Sequence, residues 1–77
     1  MKTVLIIEDD PAIITGLETS FRAEHYEVVT AMDGEEGYSA ACKLKPDLII
    51  LDLMLPSKNG EDICRDLRAQ GIESPIL

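Results

Sequence analysis

The sequence predicts an α/β fold, a parallel sheet with helices on both faces, and three observations carry that expectation. Short apolar runs alternate with stretches whose apolar residues fall at helical spacing, in the order β-α-β-α-β-α followed by the start of a fourth strand. The run Leu48-Ile49-Ile50-Leu51 has no polar alternation, the pattern of a strand buried on both faces of a parallel sheet. Two of the apolar runs end in acid: the first in Glu8-Asp9-Asp10, the third in Asp52. In open α/β sheets the crevice outside the strands' C-terminal ends is where ligands collect, so these acids are the candidate site.

Val4 to Ile7 is the first strand. Asp10-Pro11 then predicts a helix start, with Asp10 as N-cap and Pro11 at the first helical position, where a missing N–H costs nothing. This helix runs to about Ala23, with Ile14, Leu17 and Phe21 as its apolar stripe and Ile13 on the flank. If Asp10 caps the helix, Glu8 and Asp9 are the acids free to face the crevice. Tyr26 to Ala31 alternates loosely and predicts a less buried strand at the sheet edge. Asp33-Gly34 predicts a turn, Glu35 to about Leu44 a second helix, and Pro46 its stop. After the third strand, Pro56-Ser57-Lys58-Asn59-Gly60 predicts a loop, with Gly60 a turn glycine at positive φ and Lys58 a solvated cation. Glu61 to Gln70 predicts a third helix with Ile63, Cys64 and Leu67 inward and Gly71 at its stop. Pro75-Ile76-Leu77 begins another strand. Ending there predicts a piece of a longer domain, with an unpaired apolar edge open to self-association.

The 77 residues, 45% hydrophobic and 29% charged, describe one small globular domain. A net charge of -8 leaves no basic patch for nucleic acid or an anionic membrane. Met1-Lys2 is followed by only five uncharged residues, Thr3 to Ile7, before Glu8, too few for a signal-peptide core or a membrane span, so a cytoplasmic chain is expected. Cys42 and Cys64 lack metal-ligand spacing and read as small buried thiols with no disulfide, and His25 reads as a solvated residue at a helix end.

Two neighbouring parallel strands that finish in acid would bring Glu8, Asp9 and Asp52 to one mouth. Crowded carboxylates repel, and either protonation or a cation relieves them. Oxygen donors alone suit Mg²⁺, which keeps several waters and leaves positions for phosphate oxygens. A carboxylate beside Mg²⁺ can attack a phosphoryl donor and form an acyl phosphate, and Asp52, alone at its strand end, is the candidate nucleophile. Glu8 and Asp9 are the candidate ligands.

Ile6-Ile7-Glu8-Asp9-Asp10-Pro11, followed by Leu51-Asp52-Leu53-Met54-Leu55-Pro56 and Gly60, resembles the receiver domain of two-component response regulators over the whole chain. The resemblance implies a flavodoxin-like (CheY-like), doubly wound parallel sheet, of which residues 1–77 would be the N-terminal three-fifths, without the rest of the domain or an output domain. It implies that Asp52 accepts a phosphoryl group from a histidine kinase, and that Asp9 binds Mg²⁺ directly, Glu8 mostly through water, and the Met54 backbone carbonyl as a further ligand. The family's Ser/Thr at the end of the fourth strand and Lys at the end of the fifth would fall beyond Leu77. The run from Leu51 through Cys64 is similar to receivers attached to winged-helix, DNA-binding output domains, which implies regulation of transcription.

Other readings fit less well. A haloacid-dehalogenase-like phosphatase needs a second Asp two residues after the nucleophile, where this chain has Met54. A flavin module needs a Ser/Thr/Gly-rich phosphate loop after the first strand, where Glu8-Asp9-Asp10 would repel phosphate. Asp52 could serve only as a polar cap of the following loop, but the matched acids at Glu8 and Asp9 argue against that. The remaining alternative is a truncated receiver half that self-associates as a homodimer through its strand edge and is never phosphorylated.

Overall fold

The computed structural model describes residues 1–52, 55 and 59–77. Six elements follow one another: β1 (Thr3–Ile7), α1 (Pro11–Ala23), β2 (Glu27–Ala31), α2 (Gly34–Leu44), β3 (Leu48–Leu51) and α3 (Gly60–Ala69). All the strands are parallel, in the order β2-β1-β3, with Ile7 level with Ala31 on one side and with Leu51 on the other. The chain steps from β1 to β2 in one direction and then crosses back over β1 to β3. That reversal makes the C-terminal ends of β1 and β3 the topological switch point of the sheet.

Side chains alternate across the strands. Leu5, Ile7, Val29, Ala31, Ile49 and Leu51 share one face and join a single core with Ala41 of α2, Ile63 and Leu67 of α3, and Leu55 and Ile72. Val4, Ile6, Leu48 and Ile50 point to the other face, where α1 packs over β1 and β2. Here the expectation for β3 needs correcting. Leu48 and Ile50 are only half-buried, whereas Val4 to Ile7 are all 0% exposed. The strand buried on both faces is β1, because it lies between two neighbours beneath helices from both sides.

Each helix begins on a capping side chain. The Asp10 carboxylate accepts from the Ala12 N–H (2.9 Å), Asp33 from Glu36 (2.8 Å) and Asn59 from Asp62 (3.0 Å). Asp33 is thus a cap where a turn was expected. Gly60 is the buried first residue of α3 and lacks a positive φ; the left-handed glycine is Gly71 (φ 79°).

Two helices end in the same way. After α3 the N–H of Ile72 reaches the Leu67 carbonyl (3.0 Å) and that of Gly71 reaches Arg68 (3.0 Å), with Leu67 and Ile72 joined in the core. This is a Schellman motif, with Gly71 at its left-handed position. After α1 the N–H of Tyr26 reaches Phe21 (3.0 Å) and that of His25 reaches Arg22 (3.0 Å), while the Phe21 and Tyr26 rings meet edge to face at 5.2 Å. The left-handed position is held by His25 (φ 67°), a residue that does not adopt it freely.

Pro75–Leu77 is paired, not free, on its β3 side. Ile49 and Leu51 donate to the Pro75 (2.9 Å) and Leu77 (3.0 Å) carbonyls, and Leu77 donates back to Ile49 (2.9 Å). Cys42 and Cys64 are free, half-buried thiols packed against the core, so no disulfide joins them. His25 is exposed, as expected. Among the described residues no helix is long and apolar enough to cross a membrane.

Gly37 lets α2 approach β1. A Cβ there would lie 2.6–2.8 Å from Cδ1, Cγ2 and Cγ1 of Ile7, near the root of a β-branched side chain that cannot swing aside. By contrast, nothing lies within 4 Å of a Cβ built on Gly16. We expect Gly37→Ala to lower the melting temperature through overpacking, a cost of about 1–3 kcal/mol set against a helix gain of about 0.5–1. Gly16→Ala and His25→Gly should each raise it, through a stability gain of about 0.5–1 kcal/mol. Thermal denaturation of the three variants checks both signs.

Candidate metal and phosphoacceptor site

Pairing with β1 and β3 sets the site's backbone. Beyond the last strand pairs, the Glu8 N–H donates to the Ala31 carbonyl (3.0 Å) and the Asp52 N–H donates to the Ile7 carbonyl (3.0 Å). Both acids therefore leave the sheet at the same level, one from each side of the switch point. Carboxylate oxygens of Glu8, Asp9 and Asp52 all lie within 4.8 Å of one another. Asp10 is occupied with capping α1, as the sequence led us to expect, and Glu8 and Asp9 are the acids that meet Asp52.

The three carboxylates sit in different surroundings. Glu8 is buried, Asp52 half-buried and Asp9 exposed. One Glu8 oxygen, Oε2, accepts from the N–H of Asp9 (2.9 Å) and of Asp10 (3.1 Å), which ties the loop after β1 to its own side chain. Nothing in the sequence signalled this role, since any acid at a strand end reads as equally free. Burial pushes the Glu8 carboxyl above its ordinary value of 4.5 against the pull of those amides, and a side-chain hydrogen bond with Asp52 and that residue's charge push it further. Like charges about 4 Å apart repel by ~1 kcal/mol in bulk water and ~4 kcal/mol at an effective dielectric constant of 20, which favours the protonated form of the buried acid.

The donor set is oxygen only, without His or Cys, and its crowding is relieved by a hard cation as well as by a proton. It fits Mg²⁺ in both respects. Met54, whose backbone carbonyl the resemblance assigns to the metal, and Lys58 lie outside the described residues. A separate groove of about 550 Å³ runs between β3, α3 and the final residues, lined by Leu51, Cys64, Ile76 and Leu77 with Glu61 and Arg65 at its rim.

The raised Glu8 value has a consequence for stability without metal. The folded chain holds this proton more tightly than the unfolded chain, so its contribution is fully present below pH 4.5 and is lost as pH rises through the raised folded value. In chelator-treated buffer, stability attributable to Glu8 should therefore fall from pH 4.5 upward. Chemical denaturation of wild type and Glu8→Gln across pH 4–8 checks this: the variant should lose that downward slope.

Comparison with known proteins agrees with the geometry. The family model for the response regulator receiver domain matches residues 4–77. The chain is 43% identical over 76 residues to the alkaline phosphatase synthesis transcriptional regulatory protein PhoP of Bacillus subtilis, covering 99% of this chain and 32% of PhoP. It is 47% identical over 77 residues to the response regulator ArlR of Staphylococcus aureus, covering 35% of ArlR. The chain thus spans about a third of the length of these relatives. Among solved structures, the chemotaxis response regulator CheY4 of Vibrio cholerae superposes with a TM-score of 0.93 at 32% identity, over 99% of this chain and 65% of CheY4. The receiver domain of the sensor histidine kinase PA1611 of Pseudomonas aeruginosa, which has a magnesium ion coordinated in its active site cleft, gives 0.92 at 31% identity, over 97% and 63%. The complex of histidine kinase ThkA with response regulator protein TrrA gives 0.90 at 32% identity, over 99% and 66%. With matches this long and this consistent, the chain belongs to the response regulator receiver domain family.

Proposed function

We propose that this chain is a phosphoacceptor module: Asp52 takes a phosphoryl group from a phosphohistidine of a histidine kinase, at a Mg²⁺ site held by Glu8, Asp9, Asp52 and the Met54 backbone carbonyl. The observation that carries the reading is the meeting of the Glu8, Asp9 and Asp52 oxygens within 4.8 Å at the switch point of the sheet. When bound there, Mg²⁺ would offset the charge that gathers as a phosphoryl group meets carboxylates.

The chain's own residues divide the remaining work. The backbone hydrogen bond from Asp52 to Ile7 holds the acceptor at the end of β3, and the Glu8 bonds to the Asp9 and Asp10 amides hold the loop opposite. An Asp52 carboxylate oxygen attacks phosphorus. The O–P bond of an acyl phosphate forms, the P–N bond to the donor imidazole breaks, and its electron pair returns to the imidazole nitrogen, which takes up a proton. At Glu8 a cation competes with the proton that burial favours. The kinase as partner is supported by the complex in which TrrA is seen with ThkA, and a transcriptional output by the likeness to PhoP, a transcriptional regulatory protein.

A second reading, self-association of this piece as a homodimer without phosphotransfer, draws on the apolar groove beside Ile76 and on Leu77, which is 73% exposed. The two are separated by intact mass after incubation with acetyl phosphate, with and without Mg²⁺, beside Asp52→Asn. Our reading expects a Mg²⁺-dependent gain of one phosphoryl group in wild type and none in the variant. A gain retained in Asp52→Asn would remove Asp52 from its role, and no gain in any chain containing these residues would favour the interaction module.

A further inference from the structure

The segment after α3 is fastened at several points, and one side chain makes two of the fastenings. Arg68 Nη1 donates to the carbonyls of both Ile72 (2.8 Å) and Ser74 (2.9 Å). The Ser74 hydroxyl donates to the Pro46 carbonyl, just before β3, and the Ile72 side chain is buried in the core. Immediately beyond, Pro75–Leu77 makes its three backbone hydrogen bonds with Ile49 and Leu51. We propose that Arg68 is a register clamp: by holding the Ile72 and Ser74 carbonyls of the strap, it fixes how the following strand pairs with β3, and so secures the outer edge of the strand that leads to Asp52.

A parallel strand that slips by one residue turns its side chains to the opposite face, so pairing must be specified wherever one face is buried. Ile76, level with Ile49, packs half-buried against the core, so its face depends on that register. Gly71 turns the chain, Ile72 anchors it, Arg68 and Ser74 fix the two carbonyl positions and the lateral offset, and the strand arrives with Ile76 level with Ile49. On its inner edge β3 is secured by β1 as far as the Asp52 N–H; on its outer edge it is secured by this device as far as the Leu51 N–H. The inference does not depend on phosphotransfer or on metal.

Residue-resolved amide hydrogen exchange on the intact protein tests it. Arg68→Met keeps the aliphatic stem but loses both hydrogen bonds, and should speed exchange of the Ile49, Leu51 and Leu77 amides several-fold, consistent with loss of charge-assisted bonds at a partly exposed site. The Glu8 amide, bonded to Ala31 on the far side of β1, serves as the internal reference and should change much less. Arg68→Lys should fall between. Unchanged protection at Ile49, Leu51 and Leu77, or an equal acceleration at Glu8, would overturn the clamp. Should Arg68→Met fail to fold, Arg68→Lys decides the matter by the same criterion, with the same local pattern expected at smaller amplitude and its absence counting against the proposal.

Discussion

The hydrogen bond from the Asp52 amide to the Ile7 carbonyl, at 3.0 Å, is the constraint on which the rest of the site depends. It extends the β1–β3 pairing one residue past the last strand pair, Ile7 with Leu51, and so fixes the acid after β3 beside the acids after β1. A one-residue slip would carry Asp52 to the opposite face of the sheet and break the cluster. What prevents the slip is the burial of β1 on both faces, together with the packing of Ile49 and Leu51 into the core they share with α2 and α3. Hydrophobic packing thus does the electrostatic positioning. The energy that forces three carboxylates together is drawn from the core, not from any favourable contact among the acids themselves.

That arrangement leaves a site in tension. Glu8, the buried member, answers by binding a proton more readily than a free carboxylate and by lending one oxygen to two backbone amides; Asp9 stays in solvent; Asp52 stands between them. A cation is the other way to relieve the same repulsion, and proton and cation compete for it. The compactness of the helix packing serves this end as well, since the absence of a side chain at Gly37 lets α2 close over Ile7, the residue immediately before the cluster.

Much of this was legible in the sequence because it depends on periodicity and on local chemistry. The alternation of apolar runs gave the parallel order, Asp10-Pro11 the helix start, and the paired acid endings the meeting of Glu8, Asp9 and Asp52. The readings that failed depended on what lies across the fold. The Leu48–Leu51 run looked more buried than Val4–Ile7, yet which strand is covered on both faces is decided by strand order, and composition does not carry that. Asn59 and Asp33 looked like turn residues, because cap and turn draw on the same side chains for the same hydrogen-bonding reason. His25 is solvated at a helix end as expected, but its left-handed backbone, which goes with the Phe21–Tyr26 contact that closes the end of α1, is visible only once both rings are placed. Gly60, read as a turn glycine at positive φ, instead opens α3, while Gly71 ends that helix as expected.

The central claim is that strand register makes Glu8, Asp9 and Asp52 a single hard-cation site, and it is tested most directly by where a paramagnetic substitute for Mg²⁺ binds. Substoichiometric Mn²⁺ added to isotope-labelled protein broadens the resonances nearest to it. The account predicts that the amide signals of Glu8, Asp9 and Asp52 are lost first and return when excess Mg²⁺ is added. Broadening that begins instead at the other acidic stretches, such as Glu35-Glu36 or Glu61-Asp62, with the Asp52 signal intact, would contradict it.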